Sequence, residues 1–78
     1  MVLNGTIKDK HGDIYHYKLG RLHREDGPAV DCKDGHKQWW VNGKLHREDG
    51  PAVEYTNGNK RYYLHGILQK ETALKESE

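Results

Sequence analysis

Residues 20–30 read Gly-Arg-Leu-His-Arg-Glu-Asp-Gly-Pro-Ala-Val, and residues 43–53 read Gly-Lys-Leu-His-Arg-Glu-Asp-Gly-Pro-Ala-Val. The two segments are 23 positions apart, and ten of their eleven residues are identical. Agreement of this length does not arise by chance, so the chain contains a duplicated unit. A repeat of about 20 to 50 residues indicates an array of stacked supersecondary units.

The 23-residue spacing extends beyond these segments in both directions. The third copy departs from the pattern, because Gln69-Lys70-Glu71-Thr72 stands where the earlier copies have His-Arg-Glu-Asp. We predict a single domain over residues 1–73, made of three repeats at 5–27, 28–50 and 51–73, with a tail at 74–78. The residues that recur in register are Gly12/Gly35/Gly58, His16/Trp39/Tyr62, Tyr17/Trp40/Tyr63 and Leu22/Leu45/Leu68.

Turn residues indicate how each repeat is built. Asp34-Gly35, Asn42-Gly43 and Asn57-Gly58 are dipeptides that accept the positive φ of a tight hairpin turn. The segments between turns, such as residues 37–41, have the length of strands and are too short for stable helices. We predict an all-β protein, an antiparallel meander of about three 23-residue β-hairpin repeats. Each repeat is expected to form one hairpin. Residues 43–50 would connect one hairpin to the next.

The C-terminal residues differ in composition. Residues 69–78 are rich in Glu, Lys, Ala and Leu, which favour helix. Only Leu74 offers a clear apolar anchor. Two interpretations stay open, a short C-terminal helix and a frayed end.

Composition and charge restrict the function classes. The 78 residues include 13 basic and 12 acidic side chains, and this balance argues against binding dominated by nucleic-acid phosphates. No apolar run approaches the roughly 20 residues of a membrane span, and the first residues lack the basic and apolar regions of a secretory signal. Cys32 is the only cysteine, which fits a reducing compartment. We therefore expect a cytoplasmic protein.

The repeated His-Arg-Glu-Asp run has two interpretations. A functional one places His23 and His46, or Glu25 and Glu48, in a metal or acid–base site. A structural one gives the Asp side chains to turn N–H groups, the Arg side chains to neighbouring carboxylates and the His nitrogens to backbone across the repeat. The structural interpretation is favoured, because a catalytic site is normally needed once and this histidine spacing matches no zinc site. The residues assigned to the structural repeat are Leu22, His23, Arg24, Asp26, Gly27, Trp40, Leu45, His46, Arg47, Asp49 and Gly50.

Sequence motifs for catalysis are missing. The chain has no Ser-centred elbow, no phosphate-binding glycine loop and no His-Glu-X-X-His motif. Cys32 has no base that its sequence context would place beside it. We predict a protein that is not an enzyme and that uses no metal or cofactor.

The adjacent residues Trp39 and Trp40 face opposite sides of a strand. The series Tyr17, Trp40 and Tyr63 is aromatic in every repeat and is predicted to form the structural face. The neighbouring series varies and is predicted to bind a partner, because Trp, Tyr and Arg dominate binding hot spots. Two alternatives stay open for it, the core of a second sheet layer and the interface of a dimer. The predicted partner-binding residues are His16, Lys37, Trp39, Lys60, Arg61 and Tyr62.

Residues 39–53, Trp-Trp-Val-Asn-Gly-Lys-Leu-His-Arg-Glu-Asp-Gly-Pro-Ala-Val, resemble a MORN repeat (membrane occupation and recognition nexus). The Leu-His-Arg-Glu-Asp-Gly-Pro-Ala form is similar to repeats in small proteins of bacteriophages, giant viruses and some bacteria. The resemblance implies an elongated, twisted sheet of antiparallel hairpins. It also implies functions that range from interaction scaffolds and proposed lipid contacts to antitoxin-like proteins. Two departures are a longer segment between Gly43 and Pro51 and the altered third copy.

The leading functional hypothesis is a small non-enzymatic protein-binding module. It would be a phage-type accessory or antitoxin-like protein that binds and inhibits one host or toxin protein, in the host cytoplasm if a phage encodes it. The alternatives are single-stranded nucleic-acid binding through the basic and aromatic residues 59–63, and contact with a lipid surface. The net charge argues against the first, and one Lys-rich strand face is weak support for the second. A homodimer formed through an open sheet edge is a further expectation.

Overall fold

The computed structural model describes residues 3–72, and the regular secondary structure in that range is entirely β-strand. The all-β prediction is therefore confirmed. The strands are β1 (Gly5–Lys8), β2 (Ile14–Lys18), β3 (Arg21–Leu22), β4 (Val30–Asp31), β5 (Lys37–Gln38), β6 (Trp40–Val41), β7 (Lys44–Leu45), β8 (Val53–Glu54), β9 (Lys60–Leu64) and β10 (Ile67–Thr72).

Eight strands form one antiparallel sheet in the order β1–β2–β4–β5–β8–β9–β10, with β3 paired to the end of β2. Strands β6 and β7 form a separate two-stranded hairpin. The molecule is long and thin, with principal extents of 51 × 28 × 16 Å. This is the antiparallel meander that the turn spacing predicts.

The middle repeat contains two hairpins, not the single one predicted. Strands β4 and β5 flank the Asp34-Gly35 turn, and β6 and β7 flank the Asn42-Gly43 turn. The segment 43–50, predicted as a connection, therefore begins with a strand of its own. The short second hairpin satisfies backbone groups that an unpaired connection would leave to water.

The sheet branches at Trp39, between β5 and β6. The sequence predicts one strand over residues 37–41, but its first half pairs with β4 and β8 and its second half with β7. The Trp39 N–H donates to the Ala52 carbonyl at 2.7 Å, and the Trp39 carbonyl accepts from the His46 N–H at 3.0 Å. Trp39 thus holds the end of one repeat against the start of the next.

Hydrogen bonds at the repeat junctions recur with the repeat. The Gly43 N–H donates to the Leu22 carbonyl at 2.9 Å, and the Gly66 N–H to the Leu45 carbonyl at 2.8 Å. The residue before each glycine has a positive φ of 51° to 52°, as tight turns require. Consecutive repeats are therefore joined through the tips of their second turns. The residues with this φ are Leu19, Asn42 and His65.

The core is small and is built from the Gly-Pro-Ala-Val segments. Ala29, Val30, Ala52 and Val53 are its buried apolar residues. Small alanines at the centre let neighbouring backbones approach closely, which suits a body only 16 Å thick. The predicted structural series lies beside this core, half-buried, and each aromatic residue stands opposite a leucine: Tyr17 opposite Leu22, Trp40 opposite Leu45 and Tyr63 opposite Leu68.

The third copy ends in an extended strand. Residues 69–72, where a helix or a frayed end was an open expectation, belong to β10 and pair with β9, with a register shift between Leu68 and Lys70. The edge of β9 supplies hydrogen-bond partners for the backbone of this segment. These bonds outweigh the helix preference of its residues, which is weak in so short a stretch. Within residues 69–72 both interpretations are wrong. Residues 73–78, which include the predicted tail at 74–78, lie outside the described residues.

Candidate functional site

One basic side chain per repeat contacts the varied series His16, Trp39 and Tyr62. A terminal guanidinium nitrogen of Arg24 lies 3.0 Å from His16 Nε2. The guanidinium carbon of Arg47 lies 3.9 Å from the centroid of the Trp39 ring, and Lys70 Nζ lies 5.3 Å from the centroid of Tyr62. His16, Trp39 and Tyr62 are half-buried, and each is partly covered by its basic side chain. Arg24, Arg47 and Lys70 are themselves 23 positions apart. This shared spacing is a sequence signal for their contacts with the series.

Arg47 is fixed by several partners besides Trp39. Its Nε donates to Asp49 Oδ1 at 3.0 Å, and a terminal nitrogen donates to the Pro51 carbonyl at 3.0 Å and to Glu54 Oε2 at 3.3 Å. The guanidinium lies directly against Gly50, where an added Cβ would be 2.9 Å from its central carbon. A side chain at position 50 would therefore displace the guanidinium, and the glycine of the repeated Asp-Gly-Pro leaves room for the arginine.

Arg24 repeats this arrangement one unit earlier. Its Nε donates to Asp26 Oδ1 at 2.9 Å, and a terminal nitrogen donates to the Pro28 carbonyl at 3.3 Å. The hydrogen bond and charge of Arg24 lower the pKa of Asp26 below its usual value. The sequence interpretation gave Asp26 and Asp49 to backbone N–H groups of the turn. Their side chains instead accept hydrogen bonds from the arginines two residues earlier.

The His16 imidazole is held in its neutral form. Arg24 offers only donors, so His16 Nε2 accepts, and the proton on Nδ1 is directed at Thr6 Oγ1, 3.1 Å away. Burial, and next the positive charge of Arg24, lower the pKa of His16. These contacts join His16 to Thr6 and Arg24 within the first repeat, and its predicted role in partner binding stays a prediction.

The repeated histidines bond to backbone across the repeat. His23 Nδ1 accepts from the Asn42 N–H, and His46 Nδ1 accepts from the His65 N–H, both at 2.9 Å. The Nε2 atoms lie 3.4 Å from Glu25 and 3.5 Å from Glu48. Both nitrogens of each ring thus have partners. Within residues 3–72, no group of three or more His, Cys, Asp or Glu side chains has the arrangement of a metal site.

A cleft of about 660 Å³ lies between the two His-Arg-Glu-Asp runs. Residues 24–27 form one wall and residues 46–49 the other, and Trp39 and Val41 complete the lining. Each wall is braced by its own arginine, so the cleft is preformed. The sequence predicted Trp39 as a binding residue and these runs as scaffold, but the structure brings them together at one place.

The remaining predicted binding residues are dispersed. Lys37 Nζ lies 3.6 Å from Asp31, and Lys60 stands opposite Thr72 in the β9–β10 pair. Arg61 Nε donates to Glu71 at 2.8 Å. Arg61 precedes Tyr62 on a continuous strand and so faces the other side of the sheet. Arg61 therefore does not share a strand face with Tyr62, and its role in partner binding stays a prediction.

The single thiol has no features of a nucleophile. Cys32 is half-buried next to a turn whose Gly35 N–H donates to the Cys32 carbonyl at 2.9 Å. Burial, and then the nearby Asp13 and Asp34 charges, raise the pKa of the thiol. The reactive thiolate is thereby disfavoured.

Comparisons with protein-family models, with curated proteins and with solved structures returned no match. In the described part of the chain, no helix has the length and apolar character needed to cross a bilayer.

Proposed function

We propose that the protein is a small non-enzymatic binding module that recognises one protein partner through the cleft around Trp39. The observation that supports this best is the position of Trp39, half-buried in the lining of a cleft with two braced walls, with Arg47 stacked on its ring at 3.9 Å. Tryptophan and arginine in a partly desolvated pocket are the residues that dominate protein-binding energy.

The preformed walls favour tight recognition. Arg24 and Arg47 each join their own loop to the carbonyl of the following proline, at 3.3 Å and 3.0 Å. Few side chains of the cleft would become newly ordered when a partner binds. The loss of conformational entropy that opposes binding is therefore small. The small core could not easily support a deep, closed active site, which also favours a binding role over catalysis.

We further propose that binding inhibits the partner. This part rests on the resemblance to MORN-type repeats of phage and antitoxin-like proteins, and the partner would be a host or toxin protein. The single cysteine supports a cytoplasmic setting for both proteins. Single-stranded nucleic acid is a weaker candidate. Its best strand, residues 59–63, has Arg61 engaged with Glu71, which leaves that guanidinium less available for phosphate.

The test is affinity capture from nuclease-treated host lysate with tagged wild type and two variants. Trp39→Ala removes the cleft indole, and Trp40→Phe is a matched control at a tryptophan that does not line the cleft. Circular dichroism first shows that both variants fold. The proposal expects one stoichiometric protein with wild type and Trp40→Phe and its loss with Trp39→Ala. Equal capture by all three, or capture only when nuclease is omitted, would overturn it.

A further inference from the structure

We infer that the cleft accepts a lysine or arginine side chain of its protein partner. The inference rests on the proposed function and specifies the chemistry of the partner at that same site. Three properties of the cleft support it: the state of its arginines, the state of its carboxylates and its apolar lining residues.

The cleft arginines are already engaged. Arg47 contacts Asp49, the Pro51 carbonyl, Glu54 and the Trp39 ring. Arg24 contacts Asp26, the Pro28 carbonyl and His16. An anionic ligand would have to break these contacts to gain a guanidinium. An acidic or phosphorylated partner therefore fits the cleft poorly.

The cleft carboxylates outnumber the arginines. Two guanidiniums and four carboxylates line it, which gives a net charge of −2 with histidine neutral. Asp26 and Asp49 are paired with the arginines. Glu25 and Glu48 have side chains 76% and 81% exposed, and within residues 3–72 their ionic contacts are with the imidazoles of His23 and His46, at 3.4 Å and 3.5 Å. One weakly engaged carboxylate thus stands on each wall.

The cleft also has apolar lining residues. Trp39 and Val41 belong to it, and both are half-buried. A lysine or arginine side chain has an aliphatic stem that packs on apolar surface and a cationic end that seeks carboxylates. The combination of apolar lining and acidic walls therefore fits a basic side chain better than an apolar or acidic one.

Peptide titration tests the inference on the full chain. In the Trp40→Phe background Trp39 is the only tryptophan, so its fluorescence reports on the cleft. The probes are nine-residue peptides with two lysines separated by one to five residues, the same peptides with glutamates, and spermidine. We expect saturable fluorescence changes with at least one lysine peptide, weakened by added salt, and none with glutamate peptides.

Charge variants make the test specific. Glu25→Gln with Glu48→Gln is expected to weaken the lysine peptide at least tenfold. The control, Asp9→Asn with Asp34→Asn, changes the net charge equally but lies outside the cleft. Asn suits the Asp34 turn, since Asn57 occupies that place in the third repeat and its Oδ1 accepts the Asn59 N–H at 3.0 Å, and Asn at position 9 keeps an Oδ1 acceptor for the His11 and Asp13 N–H groups. Equal weakening in both double variants would overturn the inference.

Other outcomes are equally decisive. Absence of binding by every lysine peptide, or equal binding by glutamate peptides, overturns it. If spermidine binds as tightly as the peptides, the claim that the cation comes from a protein side chain is overturned. If the captured partner depends on Trp39 but not on Glu25 and Glu48, the proposed function stands and this inference fails. If capture does not depend on Trp39 while lysine peptides bind, the proposed function fails and the cation chemistry of the cleft stands.

Discussion

His23 Nδ1 accepts a hydrogen bond of 2.9 Å from the backbone N–H of Asn42, whose φ is 52°. The same bond joins His46 to His65 one repeat later. At the first junction Asn4 Oδ1 takes the place of the imidazole and accepts from the Leu19 N–H. A side-chain acceptor at the turn of the next repeat is therefore a general feature of this array.

Replacement of His23 tests that feature. His23→Ala leaves the Asn42 N–H without its protein acceptor and should lower the free energy of unfolding by about 1–2 kcal/mol. His23→Asn should cost clearly less, because Asn4 already performs this role at the first junction. Urea denaturation measures both. Equal destabilisation by Ala and Asn would show that packing of the ring, not the acceptor, matters.

Gly50 and Arg47 are predicted to be energetically coupled. Gly50 has no positive φ, so the obstacle to Gly50→Ala is the guanidinium, 2.9 Å from the new Cβ. We expect a loss of about 1–3 kcal/mol from this overpacking, and a smaller loss in an Arg47→Ala background. A double-mutant cycle by urea denaturation gives the coupling energy. Additive losses would mean that the backbone, not Arg47, excludes a side chain.

The folded state should disfavour protonation of His16. Its pKa is lowered by burial and by Arg24, so below about pH 6.5 the unfolded chain binds the proton more readily. The contribution of His16 to stability is complete above that pH and is lost as the pH falls from about 6.5 through the folded pKa. Titration of its ring resonances by NMR should give a midpoint below 6.5, and a midpoint at or above 6.5 would contradict the assigned Arg24 contact.

Cys32 is predicted to react slowly. Burial and the surrounding aspartates raise its pKa, so little thiolate is present near neutral pH. Alkylation by iodoacetamide at pH 7.5 should be slower in the folded protein than in the urea-unfolded chain. Faster reaction in the folded state would indicate an activated thiol and reopen the question of catalysis.

The local signals in the sequence predict much of the fold. The Asp34-Gly35 and Asn42-Gly43 turns follow from dipeptide chemistry and from the 23-residue register. The branch at Trp39 could not be predicted in this way, because it depends on which strands pair with each half of residues 37–41. The extended β10 was missed for a related reason: an open edge on β9 offers hydrogen bonds that residues 69–72 do not reveal.

The candidate site was only partly predictable. Trp39 was identified by its residue type, but the cleft around it forms from runs that the sequence presents as scaffold. The stacking of Arg47 on Trp39 joins residues eight positions apart, and the alternation of side chains along a strand does not predict it. The matching positions of Arg24, Arg47 and Lys70 in the repeat are the signal from which it could be found.

The affinity of the captured partner for wild type and for Trp39→Ala, measured by calorimetry on purified proteins, tests the central claim most directly. A hot spot in the cleft predicts a dissociation constant about thirty-fold higher for the variant, or about 2 kcal/mol, with an unchanged fold. Affinities within a factor of about two, in a variant that remains folded, would contradict the claim that Trp39 is the centre of the binding surface.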